Sequence, residues 1–124
     1  MTLEAQLLAA AAALVARGWS RTGPAEDRNG ALVEPSSPVA RRWSPVGALE
    51  AVWQHRCRAS QDPQQVTGAF ERASLALTAV TGNADAWNRA HDRTHQDVIA
   101  AFDRAIRSCE DGSTRSRPSD PAAA

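Results

Sequence analysis

The sequence predicts a mainly α fold: a compact bundle of about four helices, with an irregular or hairpin-like segment between the first and second. Three observations carry that expectation. Apolar residues recur at intervals of three and four in separate stretches, the spacing that lines one face of a helix. Each stretch follows a residue able to cap a helix: Thr2, Ser44, Asp62 and Thr94. Between residues 20 and 42 the periodicity fails, and Gly23, Pro24, Gly30, Pro35 and Pro38 rule out a long helix there.

The first helix is expected from Leu3 to Arg17, with Leu3, Leu7, Leu8, Ala11, Leu14 and Val15 on its buried face. Thr2 is its N-cap, Gly18 its C-terminal stop, and Trp19 folds back onto the core. Asp27, Arg28, Asn29 and Gly30 form a tight turn with glycine where φ must be positive, and Ala31, Leu32 and Val33 are extended after it. Ser44 and Pro45 start the second helix, because serine caps free N–H groups and proline in the first turn loses no hydrogen bond. Its stripe is Val46, Leu49, Val52, Trp53 and Cys57, and it ends near Ala59.

Asp62 and Pro63 repeat that device, with Gln65 completing a capping box. Val66, Phe70, Ala73, Leu77 and Val80 line the third helix, Gly68 is tolerated inside it, and Gly82 stops it. Thr94 and Asp97 make a second capping box, behind which Val98, Ile99, Phe102, Ala105, Ile106 and Cys109 form the buried face of the last helix. Asp111 and Gly112 are expected to end it. The organisation is one helical domain over residues 1–110, a size that suits a single core, and a disordered tail over 111–124 that lacks large apolar side chains.

Composition narrows the function classes. Formal net charge is zero, which argues against nucleic acid as a main partner and gives no reason to expect an anionic membrane surface. All fourteen basic residues are arginine, which with the abundant alanine reads as the coding bias of a high-GC genome. The apolar run LLAAAAALVA at 7–16 follows Glu4 and no positive charge, unlike a secretory leader, and is too short to span a bilayer. A cytoplasmic protein is therefore expected, with Cys57 and Cys109 as small buried hydrophobes and no disulfide.

The stretch HDRTH at 91–95 has the i, i+4 histidine spacing that a zinc hydrolase places on one helix face. If Thr94 caps the last helix, His95 is its first helical residue and His91 lies outside, so the two do not share a face. The expectation is no metal, no cofactor and no catalytic residue, with a small hydrolase using His91, Asp92 and His95 as the alternative. Trp19, Trp43, Trp53 and Trp87 all lie at or near element boundaries, and can converge into a polar-rimmed aromatic pocket. That makes Trp19, Trp43, Trp87, Asn88 and His91 the candidate ligand- or partner-binding residues. Arg56 and Arg58 suit the negative end of the second helix, and Arg41 and Arg42 a solvated loop.

Five pieces in order form a wider pattern: RGW at 17–19, the turn with Asp27 and Gly30, ARRWSPVGAL at 40–49, AWN at 86–88 and RTHQDVIAAFDRAI at 93–106. Together they resemble DUF6197, a family of small actinobacterial and phage proteins of unknown function, over roughly residues 3–107. The resemblance implies a shared compact fold and no known activity, substrate or cofactor. It draws attention to Trp43, Gly47, Trp87, Asn88 and Thr94. Two positions depart from the family's pattern: Arg89 stands where an aspartate follows Trp–Asn, and Arg42 and Ser44 flank Trp43 where a cysteine is often found. Any chemistry those positions carry in relatives is in doubt here.

The function expected is a small non-catalytic binding or interaction domain, with an unknown protein or small ligand as partner. Self-association into a homo-oligomer through an alanine-rich helix face stays open. A helix-turn-helix regulator is the second alternative, but the third helix carries only Arg72.

Overall fold

A computed structural model describes residues 1–115. In chain order it contains α1 (Leu3–Arg17), β1 (Ala25–Glu26), β2 (Arg42–Trp43), α2 (Pro45–Ala59), α3 (Pro63–Thr81), α4 (Ala84–Arg89) and α5 (His95–Arg115). α1 packs against α2, α3 and α5, and α3 also packs against α2 and α5. The four long helices thus form a rhombus with α1 and α3 on its short diagonal. α1 suits that central place because Ala5 and Ala11 let neighbouring backbones approach while Leu7, Leu8 and Val15 fill the space between, all fully buried. Phe102 and Leu77 are among the largest buried side chains from the opposite side of the core.

The predicted caps are all made. Thr2, Ser44 and Asp62 accept from the backbone N–H of Ala5, Gly47 and Gln65 at 3.1, 3.0 and 3.2 Å. Thr94 and Asp97 form the full reciprocal box: Asp97 N–H donates to Thr94 Oγ1 at 3.1 Å, and Thr94 N–H to Asp97 Oδ2 at 3.0 Å. These bonds stabilise the charged carboxylate and hold Asp97 below the usual aspartate range. The box expected at Asp62 is only half made, because the Asp62 N–H is taken by Ser60 Oγ at 2.9 Å instead of Gln65.

Two expectations need correction. A fifth helix, α4, stands where a loop was expected, capped by Asn83 with a 3.0 Å bond from Ala86 N–H. Gly18 is the C-cap of α1 as expected, with its backbone extended at φ −170°. It is needed for close approach, since a Cβ there would stand 2.1 Å from the Arg41 carbonyl oxygen. Finally, α5 runs past Asp111 and Gly112 to Arg115. A glycine in a helix interior costs only about 1 kcal/mol, too little to end a helix by itself. The rest of the expected disordered tail, 116–124, lies outside the described residues.

The irregular segment closes the expected hairpin. Gly30, at φ 85°, donates to Asp27 O, and the Asp27 carboxylate accepts from the N–H groups of Asn29 and Ala31. Its wider role is to wrap Trp43. Ala25 pairs antiparallel with Trp43 and Glu26 with Arg42. On the other side Trp43 N–H donates to Gly18 O at 3.0 Å, and Ser20 N–H to Trp43 O at 2.9 Å. Trp43 is therefore the centre of a short three-stranded ribbon. α2 follows directly and lies so close to the ribbon that a Cβ on Gly47 would meet Pro24 O at 1.9 Å.

Candidate functional site

Asn88 ties α4 to the start of the irregular segment. Its side chain is buried, accepts from Trp19 Nε1–H at 2.7 Å, and donates through Nδ2 to the carbonyls of Ser20 at 3.0 Å and Arg21 at 3.4 Å. The Arg21 guanidinium donates to the carbonyls of Ala90, His91 and Arg93, the first two at 2.9 Å, and lies over Trp19 at 4.9 Å. Arg93 donates from Nε to Trp87 O at 2.9 Å and stacks its guanidinium over the Trp87 ring at 4.0 Å. His95 stacks on Trp19 with ring centroids 5.8 Å apart, and its Nε2 sits 2.7 Å from Val15 O. A carbonyl can only accept, so Nε2 carries a proton. This network latches residues 19–21 to 87–95.

The latch answers the HDRTH question. Thr94 caps α5, His91 and Asp92 are exposed in the loop before it, and His95 is held by Trp19 and Val15. The two histidines do not share a helix face, and the hydrolase geometry is not assembled. Among the described residues no three His, Cys, Asp or Glu side chains stand close enough to hold a metal.

Of the predicted binding residues, Trp19, Trp87 and Asn88 meet in the latch, while His91 enters it only through its carbonyl. Trp43 is elsewhere. The four tryptophans do not converge into one aromatic pocket: the indole N–H groups of Trp19, Trp43 and Trp53 bond to separate partners. Trp43 donates to Pro35 O at 2.9 Å, and Trp53 donates to Thr67 Oγ1 at 3.0 Å while stacking on Phe70 at 4.7 Å.

What Trp43 does line is a groove of about 350 Å³. Ala10 and Leu14 of α1, and Ala51 and Val52 of α2, form its apolar walls together with Trp43. The loop at Pro35, Ser36 and Ser37 lines it too, as do His55, Arg56 and Arg58 of α2. Among the described residues no carboxylate lines it. Among the described residues, none of His55, Arg56 and Arg58 makes a side-chain hydrogen bond or ion pair. Some other arginines are occupied, Arg42 by Glu26 at 3.4 Å and Arg72 by Glu4 at 3.2 Å, while Arg17, Arg28, Arg89 and Arg104 are likewise unpaired among the described residues. Glu26 is itself buried, and accepts from Ser20 and Thr22 hydroxyls at 2.9 and 3.0 Å.

Sequence reasoning placed Arg56 and Arg58 against the helix dipole and did not connect them with His55. The signal available was local, a His–Arg–Cys–Arg run at 55–58 closing an apolar helix. The missing half was the 35–37 loop, whose position depends on Trp43. The two cysteines lie apart from the groove. Cys57 is within 4 Å of Pro63 O and Thr67 Oγ1, and burial, followed by Glu4, pushes the Cys109 thiol up.

The chain belongs to the family described as "Family of unknown function (DUF6197)", whose model matches residues 1–108. No curated protein and no solved structure matches it. The matched span includes both the latch and the groove. The departures from the family's pattern beside Trp43 have structural uses here: Arg42 pairs with Glu26, and Ser44 caps α2.

Proposed function

We propose that this chain is a small non-catalytic binding module, and that its site is the groove between α1, α2 and the 35–37 loop. The observation that carries the reading is the combination of an apolar floor with polar side chains that, among the described residues, make no hydrogen bond or ion pair. Ligand sites are typically concave and mostly apolar, with a few polar groups that fix orientation.

The competing readings have less support. For a hydrolase, His95 is engaged in holding α5 to α1, and His91 and Asp92 line no cavity with it. For a helix-turn-helix regulator, the arginine expected to reach DNA, Arg72, is ion-paired with Glu4. For self-association, the fully buried alanines of α1 already serve the chain's own core. No helix among the described residues is long and apolar enough to cross a membrane. Two free thiols suit the reducing cytoplasm, which we keep as the proposed setting.

The test is a screen of a charge-diverse fragment library by backbone amide NMR. The reading expects shifts clustered at Ala10, Leu14, Ala51 and Val52. A library that moves only residues elsewhere, or none, would sink it.

A further inference from the structure

Resting on the groove as the binding site, we infer that its ligand is a small organic anion: an acidic group on a compact apolar body. Two arginines and a histidine line the groove, and among the described residues no Asp or Glu does. This local excess sits in a chain whose formal net charge is zero. It is not neutralised by neighbours, since none of the three has a hydrogen-bond or ion-pair partner among the described residues.

The helix dipole is the simplest other use for Arg56 and Arg58, which lie in the last turn of α2. Neither guanidinium bonds the carbonyls that end the helix, and Ser60 N–H closes that end on Cys57 O at 3.3 Å. Their forks stay free to grip a planar acid. Guanidinium geometry suits carboxylate or phosphate in two-point contact.

The body of the ligand follows from the walls. Leu14, Val52 and Trp43 offer carbon surface and no free donor, because the Trp43 N–H is committed to Pro35 O. The volume of about 350 Å³ is near the small end of ligand sites, roughly 300–1,000 Å³. A one- or two-ring acid fits these dimensions, whereas a bare inorganic anion would leave the apolar walls uncovered. The ligand class is thus an aryl or similarly compact carboxylate.

The experiment compares 2-naphthoate with 2-naphthamide, its neutral analogue, and with inorganic phosphate, by amide NMR titration of the full chain. Naphthoate should shift the groove and bind about tenfold more tightly than naphthamide, the worth of one charge-assisted hydrogen bond. Phosphate should bind more weakly than naphthoate. In the Arg56→Ala/Arg58→Ala variant, checked for an unchanged melt and circular dichroism spectrum, the tenfold gap should close while naphthamide binding stays. Equal binding of naphthoate and naphthamide in the groove would overturn the anion and leave the groove standing. A gap that survives the double substitution would overturn the arginines' role. Phosphate binding as tight as naphthoate would overturn the apolar body. If neither aryl probe moves a groove residue, the inference fails. If the fragment library is silent there too, the groove reading fails with it.

Discussion

Arg21 and Arg56 are both half-buried arginines associated with a tryptophan, yet they live in opposite circumstances. Arg21 lies over Trp19 and donates to three backbone carbonyls across a chain separation of 69 to 72 residues. Arg56 shares a groove with Trp43 and has no hydrogen-bond or ion-pair partner among the described residues. The same contrast holds between the latch and the groove as wholes. In the latch, the polar side chains of Asn88, Arg21 and Arg93 close on backbone carbonyls. Buried carbonyls need such partners. The groove keeps its charges at a solvated edge, where leaving them unpaired costs little. Saturated polar groups mark where the fold is tied, and unsaturated ones mark where it has something to offer.

The largest effect should come from breaking the latch at its buried centre. Asn88→Ala leaves Trp19 Nε1–H and the Ser20 carbonyl without their partner in a buried site. We expect a loss of about 3 kcal/mol in unfolding free energy, since each orphaned buried group costs roughly 1–3 kcal/mol. Urea denaturation of the variant measures it. A loss under about 1 kcal/mol would mean that water replaces the asparagine easily and that the latch is closer to the groove in character.

A smaller effect is expected at the edge of the latch, where Thr94 starts α5. Thr94→Ala should cost around 1 kcal/mol, the usual value for an N-cap. A change of only a few tenths would place the helix start elsewhere and reopen the histidine pair as a shared face. The reciprocal partner gives a pH test. Asp97 is held below its ordinary value by its bonds to Thr94, so its contribution is fully present above the unfolded aspartate pKa, near ~3.9. It fades as pH falls from there through the lowered folded value. The stability gap between the native chain and Asp97→Asn should therefore be constant near neutral pH and shrink below about pH 4. A gap that is flat down to about pH 2 would show that the bonds do not depend on the charge.

The parts of this fold written in the sequence are those with short range. Thr2, Ser44, Asp62 and Thr94 each cap an N–H three residues onward, so residue type and spacing suffice. The Asp27–Gly30 turn is legible for the same reason. α4 escaped because its six residues are too few for a periodic stripe, and Asn83 reads equally well as a turn after Gly82. Gly18 was assigned correctly to the end of α1, but the Arg41 carbonyl that excludes a Cβ there comes from a distant part of the chain. Asn88 was singled out as a candidate binding residue, and its carbonyl partners, 67 and 68 residues away, are not legible from its neighbours. Arg21 was not singled out at all, because nothing adjacent to it announces the loop it holds. The groove shares that difficulty: His55, Arg56 and Arg58 acquire a common purpose only once Trp43 brings the 35–37 loop against α1 and α2.

The smallest effect is the most discriminating. Arg56→Ala/Arg58→Ala should change unfolding free energy by less than about 0.5 kcal/mol at moderate salt, the usual range for surface substitutions that break no specific feature. The two arginines do have one structural claim, the negative end of α2, which is worth about 0.3–1 kcal/mol per charge at low ionic strength. Salt separates the cases, because a dipole interaction at the surface is screened within a Debye length of roughly 8 Å at physiological ionic strength. A modest loss in low salt that disappears on adding salt is compatible with free arginines that also favour the helix end. A loss above about 1 kcal/mol that persists in high salt would mean that the guanidiniums hold the fold as Arg21 does. The groove would then be a second latch, and the contrast between the two regions would collapse.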